Sequence, residues 1–464
     1  MAAVAVVMLA AAMDLLDGSV VNVALPSIQH GFHLGDAALQ WLVAGYSLAF
    51  GVLLITGGRL GDVVGYKRTF MAGTAAFTAM SLVCALAPDP EILLAARVLQ
   101  GAMAALMVPQ ATSLLQIMYK PHERARVMGL FGALAGLAAS LGPLLGGLLL
   151  RADVLGTGWR AIFLLNVPIG VAALVAARVL LPSGRSPRPM RLDLRGTALS
   201  ILGLTLLILP LVQGPALHWP LWTVLSPAAA LPVLGLLVLD QRRRGRLGGT
   251  TLVEPALFRK RSFVGGIVLS LLVEAVMGGM MLLLTLTLQE GLGLSALTAG
   301  LSTLPMIVGM VIGFAVLAEP LIPRLGRYTV TLGSAVLAAG LVGAAWILHT
   351  YGLGTHVWQL APALLVTGAG LGMLMGPLFA ITLQDVDTDR AGAASGVLES
   401  VEQLGGVLGV VTIGTVFLHR ADTHGLVSGF GWGVGAALTV LAVGAAASLA
   451  LPRRFRTEEE LGLG

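Results

Sequence analysis

Six acidic or basic residues stand well inside stretches that are otherwise apolar: Asp14, Asp17, Arg97, Glu274, Glu399 and Glu402. A charge in hydrocarbon is costly, so those that persist line a pathway or pair with one another. Asp14 and Asp17 are three residues apart and share a helix face, as do Glu399 and Glu402. The histidines all fall in loops or at the ends of apolar runs, which leaves proton handling to carboxylates. Desolvation and a neighbouring guanidinium act in opposite directions on a carboxylate. An acid held between them can change protonation as its surroundings rearrange. Depth makes Arg97 the partner for Asp17. Counting from Pro26 and Pro90 at the outer ends of their spans, the two lie roughly 14 Å and roughly 10 Å deep at 1.5 Å per residue. A long arginine closes that gap. The same residues also suit a static pair clamping two helices, and Glu399 with Glu402 also suits a solvated face on the cytoplasmic side.

Such residues need spans to hold them. Of 464 residues, 57% are hydrophobic and 11% charged, and the mean hydropathy is +0.91. A water-soluble surface needs about 25% charged residues, which excludes a large soluble protein. Fourteen apolar runs are long enough for the roughly 30 Å hydrocarbon core. The first six cover 3–25, 38–58, 69–87, 92–115, 127–150 and 161–181. A pair follows at 196–212 and 221–239, then six more at 263–288, 297–318, 328–349, 358–382, 393–418 and 426–451. They lack the alternation of a lipid-facing strand, so they are expected to be helices.

Charge orients them. With a cytoplasmic N-terminus, 23 of the 28 basic residues fall on the inner side, in the loops and the tail. Arg151, Arg160 and Arg420 lie outside, and Arg97 and Arg178 lie within spans. That asymmetry over short loops is the positive-inside pattern, and it requires an even number of spans. Two inner segments, 182–195 and 240–262, are longer, basic and rich in helix breakers. They divide the chain into a six-helix bundle at 1–181, an inserted pair with basic linkers at 182–262, and a second six-helix bundle with a short tail at 263–464. The net charge of +5 sits at span ends, which argues against a nucleic-acid partner. Lone Cys84 excludes a disulfide framework. The apolar start lacks the basic region of a signal peptide and carries Asp14 and Asp17, so it is read as a retained first span. Its short lead leaves room for a true start upstream of Met1.

Between the second and third runs, Gly58, Asp62, Gly65, Lys67 and Arg68 form a tight, charged inner turn. There Asp62 can accept bonds from a helix N-terminus or from basic side chains, which makes a latch on the cytoplasmic face. In the fifth run Gly142, Gly146 and Gly147 accompany Gly129, Gly132 and Gly136, small residues that let helices approach closely. Pro143 can bend that helix.

The segment Gly58-Arg59-Leu60-Gly61-Asp62-Val63-Val64-Gly65-Tyr66-Lys67-Arg68 resembles the loop motif of the major facilitator superfamily, with Val63 and Tyr66 where basic residues are usual. Leu93 to Gly101, with Arg97 and Gln100, resembles the family's fourth-span motif. Gly142-Pro143-Leu144-Leu145-Gly146-Gly147 resembles its antiporter motif, with Ala138 in place of a usual glycine. Leu16 to Pro26, Trp159 to Gly170, Leu257-Phe258-Arg259 and Ala391 to Gly396 resemble the fourteen-spanner drug:proton antiporters. The resemblance covers essentially the whole chain. It implies a major facilitator fold of 14 transmembrane helices and export of amphipathic, often cationic compounds driven by inward proton flow. It also implies roles for the first-span aspartate and the fourth-span arginine. Glu399 and Glu402 lie outside the motifs that carry it.

The expected protein is therefore an all-α, multi-pass protein of the cell membrane with both termini cytoplasmic. It needs no cofactor beyond the proton gradient, and its partners are a small amphipathic substrate, protons and the lipid bilayer; it is expected to be a monomer. An exporter of one dedicated metabolite, or an importer or lipid transporter on the same scaffold, fits the same residues. An enzyme would need a nucleophile with its base, or a metal cluster, at one depth. The sequence offers neither, and Gly368-Ala369-Gly370-Leu371-Gly372 has no strand before it to make a nucleotide loop.

Overall fold

The computed structural model describes residues 2–448 apart from 35, 120–122, 124–126, 128–129, 131–137, 139–140, 143–144, 153–155, 184–192, 215–216, 218, 248, 250, 254, 384–385 and 387–390. Among the described residues there are helices and no strand. Thirteen of these helical runs are long and apolar enough to cross a membrane, and they fall one for one on thirteen of the expected spans. The remaining span, 127–150, lies largely outside the described residues, as do Gly129, Gly132, Gly136 and Pro143.

The first four helices are α1 (Ala2–Phe32), α2 (Asp36–Val64), α3 (Tyr66–Leu86) and α4 (Pro90–Met118). A short α5 (Ala161–Leu164) runs into α6 (Asn166–Leu180), and the inserted pair is α7 (Leu194–Gln213) and α8 (Leu221–Arg246). Then come α9 (Arg261–Leu286), α10 (Ala296–Ser302), α11 (Leu304–Ile312), α12 (Glu319–Leu325) and α13 (Tyr328–Tyr351). The chain closes with α14 (Val357–Leu383), α15 (Ala391–His424) and α16 (Leu426–Ser448). Several helices run past the expected spans: the first to Phe32, α2 to Val64, α8 to Arg246 and α15 to His424. Pro26 does not end the first helix, because α1 continues to Phe32. In a membrane, neighbouring helices and local adjustments accommodate the donor that a proline removes. Asp17 is therefore further from its helix end than the count from Pro26 implied.

Two compact units emerge. The first comprises residues 1–118, 141–257 and 386–400, and the second 119–140, 258–385 and 401–464. Within the first, α2 and α3 pack on α4, α1 and α3 pack on α6, and α7 lies on both α8 and α2. Its apolar core joins Val20, Ala24 and Ile28 of α1 with Leu93 and Ala96 of α4 and Phe163 of α5. Within the second, α14 lies on α11 and α13, and α16 lies on α9 and α13. Its core runs through Val276, Leu337, Leu374, Ile413 and Phe417. Many apolar side chains are buried between these helices, while large residues such as Val175, Leu231 and Trp346 stay exposed. That is what a bilayer, rather than water, accepts.

Candidate functional site

The α1 helix turns Asp14 and Asp17 inward, and both carboxylates are buried. Arg97 of α4, only 1% exposed, reaches Asp17 with Nη1 at 2.5 Å from Oδ2. The same Nη1 donates to Gln100 Oε1 at 2.8 Å, and Nε donates to the Leu42 carbonyl at 3.4 Å. Asp17 Oδ1 receives Asn166 Nδ2 at 2.7 Å and Gln100 Nε2 at 3.2 Å. Asn166 also donates to Ser81 Oγ at 2.9 Å, and Ser81 donates onward to the Phe163 carbonyl. Thus α1, α4 and α6 meet at one carboxylate, and α3 joins through Ser81 and Asn166. An ionised acid in this interior is stabilised by charged and neutral donors together.

Asp14 has a different partner, the phenol of Tyr46 on α2, which donates to Asp14 Oδ1. The Tyr46 ring lies under the Arg97 guanidinium, 4.4 Å from carbon to centroid, and Phe163 stands on a further side at 5.8 Å. The sequence named Asp14, Asp17 and Arg97; Tyr46 escaped it because a tyrosine in an apolar run reads as packing. Asn166 sits inside the resembling Trp159–Gly170 stretch, and an amide within an apolar run is the signal that marks it.

Glu399 belongs to the same unit. Its Oε1 accepts Thr112 Oγ1 of α4 at 2.9 Å, while its Oε2, also buried, has no hydrogen-bond partner among the described residues. One helical turn away, Gln116 donates to Ser395 at 3.3 Å. Thr112 had no signal in the sequence. Glu274 and Glu402 lie in the second unit and are half-buried. Gly405 of α15 packs on Leu271 and on the Glu274 Cβ of α9, one turn from Glu402. The six embedded charges are thus divided between the units: Asp14, Asp17 and Arg97 are joined through Tyr46, Glu399 has its own contact with Thr112, and Glu274 and Glu402 belong to the second unit.

The charged loop between α2 and α3 is a corner of one residue. Gly65 takes φ 109° and ψ 135° between the two helices, a backbone that needs the absence of a Cβ. Asp62 accepts Arg59 Nη1 at 3.2 Å and the Tyr66 hydroxyl at 2.9 Å. The aromatic residue that departs from the family pattern thus donates to the loop's acid. Lys67 donates to the Arg178 and Leu181 carbonyls at 2.9 and 2.7 Å, closing the end of α6. Gly58 is buried in α2 and Arg68 is exposed in α3. In the antiporter motif, a Cβ on Gly142 would overlap Ser19 Oγ of α1, and Gly146 lies against Val20 and Val23. Gly147 has open space around it, and Pro143 is outside the described residues.

Comparison with known proteins decides the family. Residues 7–410 match the model of the Major Facilitator Superfamily. The chain belongs to that superfamily. As a superfamily member it is 44% identical over 416 residues, 90% of its length and 72% of the other's, to the probable actinorhodin transporter of Streptomyces coelicolor. It is 33% identical over 414 residues, 89% of its length and 80% of the other's, to a puromycin resistance protein of Streptomyces alboniger. The crystal structure of a human organic anion transporter shares its fold with a TM-score of 0.68 at 16% identity, covering 96% of this chain and 99% of that one. This superfamily member is a multi-pass membrane transporter, as the resemblance implied.

Proposed function

We propose that the chain exports small hydrophobic or cationic compounds, antibiotics among them, in exchange for protons. The observation that carries the reading is Asp17, a carboxylate buried among apolar spans and met by Arg97, Gln100 and Asn166 from other parts of the helix bundle. Relatives named for actinorhodin transport and puromycin resistance support the export direction and the substrate class. A proton taken up by a buried acid from the outer side changes the charge that Arg97 meets, and its release inward restores it. Each proton moving down the membrane potential contributes about 2.3 kcal/mol per 100 mV, which can sustain a substantial substrate gradient. Energy comes from the proton gradient, with no cofactor, and one chain suffices as the working unit. The bias of basic residues supports a cell-membrane location with both termini in the cytoplasm.

The test is reconstitution of the full chain in proteoliposomes with puromycin and actinorhodin as probes. An imposed pH gradient should drive accumulation, and nigericin should abolish it. Asp17→Asn should lose gradient-driven transport by at least about ten-fold, the size expected when a buried charge-assisted contact of roughly 1.4 kcal/mol or more is removed. Transport that continues unchanged after collapse of the gradient overturns proton coupling. An exporter of one dedicated metabolite would move one probe and reject the other.

A further inference from the structure

We propose that Tyr46 is a positioning residue that relays the charge state of Asp14 to the Arg97–Asp17 pair; the inference rests on the proton-coupled reading above. Three contacts meet on this one side chain, which is 6% exposed. Its hydroxyl donates to Asp14, its ring face carries the Arg97 guanidinium at 4.4 Å, and the ring stacks on Phe50 at 6.2 Å with 22° between planes. Close approach of α2 and α4 seats it there: a Cβ on Gly101 would overlap the Tyr46 carbonyl oxygen. The charged and titratable groups that face the ring are Asp14 and Asp17 from α1 and Arg97 from α4. Glu399 of α15 faces Asp14, and Cys84 of α3 faces Arg97.

The chemistry follows from the direction of the hydrogen bond. While Asp14 is ionised, the phenol donates to it, electron density on the ring rises, and the guanidinium is attracted to the ring face. When a proton binds the Asp14 carboxylate, the phenol keeps its own proton but loses its anionic acceptor. The ring then holds Arg97 less strongly, and Arg97 is left to Asp17, Gln100 and the Leu42 carbonyl. The proton that Asp14 took up leaves from the same carboxyl, and no other bond forms or breaks. Two aspartates on one helix face thereby act in sequence. Asp14 gains and loses the proton, and Asp17 answers through the arginine. If Tyr46 served only to fill space, the phenol oxygen would be dispensable.

Infrared titration of the purified full chain in lipid nanodiscs tests this without a substrate. The Asp14→Asn variant identifies the Asp14 carboxyl band, and the guanidinium bands report on Arg97. In Tyr46→Phe, which keeps the ring, the Asp14 midpoint should move by about one pH unit or more, as when a hydrogen bond to the charged form is lost. The guanidinium bands should cease to follow pH. Tyr46→Leu should abolish the response as well, and if it does not fold, the outcome in Tyr46→Phe alone decides. An unchanged midpoint with an unchanged guanidinium response in Tyr46→Phe overturns the relay, as does an Asp14 that does not titrate. Puromycin transport in proteoliposomes separates the two failures. Wild type that ignores the pH gradient sinks the proton-coupled reading, whereas coupled wild type with an identical pH profile in Tyr46→Phe sinks the relay alone.

Discussion

Asp17 is the acceptor for three side chains drawn from two other helices, and the donors differ in kind. Arg97 brings charge, and Gln100 and Asn166 bring fixed amide geometry. Removing one neutral donor leaves an Asp17 oxygen short of a partner. Hydrogen bonds to charged groups contribute about 1.5–3 kcal/mol, so Asn166→Ala should lower the thermal midpoint of the purified chain and weaken gradient-driven transport together. Arg97→Lys is expected to fail as a replacement. A lysine ammonium lacks the planar fork that lets Arg97 serve Asp17, Gln100 and the Leu42 carbonyl at once. Proteoliposomes carrying Arg97→Lys should therefore show at least about ten-fold less coupled transport, matching the loss of one such contact; wild-type rates would contradict the assigned geometry. Sequence spacing put Asp14 and Asp17 on one face, and depth paired Asp17 with Arg97, because both arguments need only helix geometry. Neither could find Tyr46 or Thr112, whose types are equally common in plain packing.

Helices meet closely at many glycines, and those places constrain substitution. The α2–α3 corner depends on Gly65 at φ 109°. A side chain in such a conformation costs about 1–3 kcal/mol, so Gly65→Ala should lower the thermal midpoint while leaving the probe spectrum of transport unchanged. At the antiporter motif the close approach is between side chain and backbone. Gly142→Leu would force α1 away from its neighbour at Ser19, shifting the helix that carries both aspartates. That variant should reach the membrane at wild-type levels yet lose transport, measured by immunoblot and vesicle uptake side by side. Full activity in Gly142→Leu would show that α1 does not need this approach. At Pro26 the helix itself runs on to Phe32, since a proline marks a helix end in water more faithfully than in a bilayer.

For the whole molecule, orientation is the property on which the direction of transport hangs. Single cysteines placed in the 182–195 segment and beside Arg420 in a variant lacking Cys84 should label from opposite sides of intact cells. The first should react only after the membrane is opened, and the second with an impermeant reagent from outside. Labelling of both from one side would overturn the assignment from charge. Thirteen spans are described, and the even count expected from charge still needs the span at 127–150.

Composition and run length settled the all-helical membrane class, because hydrocarbon forbids unpaired backbone over any length that spans it. The motifs pointed to the superfamily for a related reason: glycines and charges at fixed spacing are tolerated in spans only where neighbouring helices use them. What the sequence left open was which acids share a neighbourhood. Asp14, Asp17 and Glu399 lie in one unit, and Glu274 and Glu402 in the other. Helix periodicity fixes a face but says nothing of the partner that the face will meet. That choice is made by packing between helices far apart in the chain, as when Gly101 admits α2 and brings the Tyr46 ring beneath Arg97.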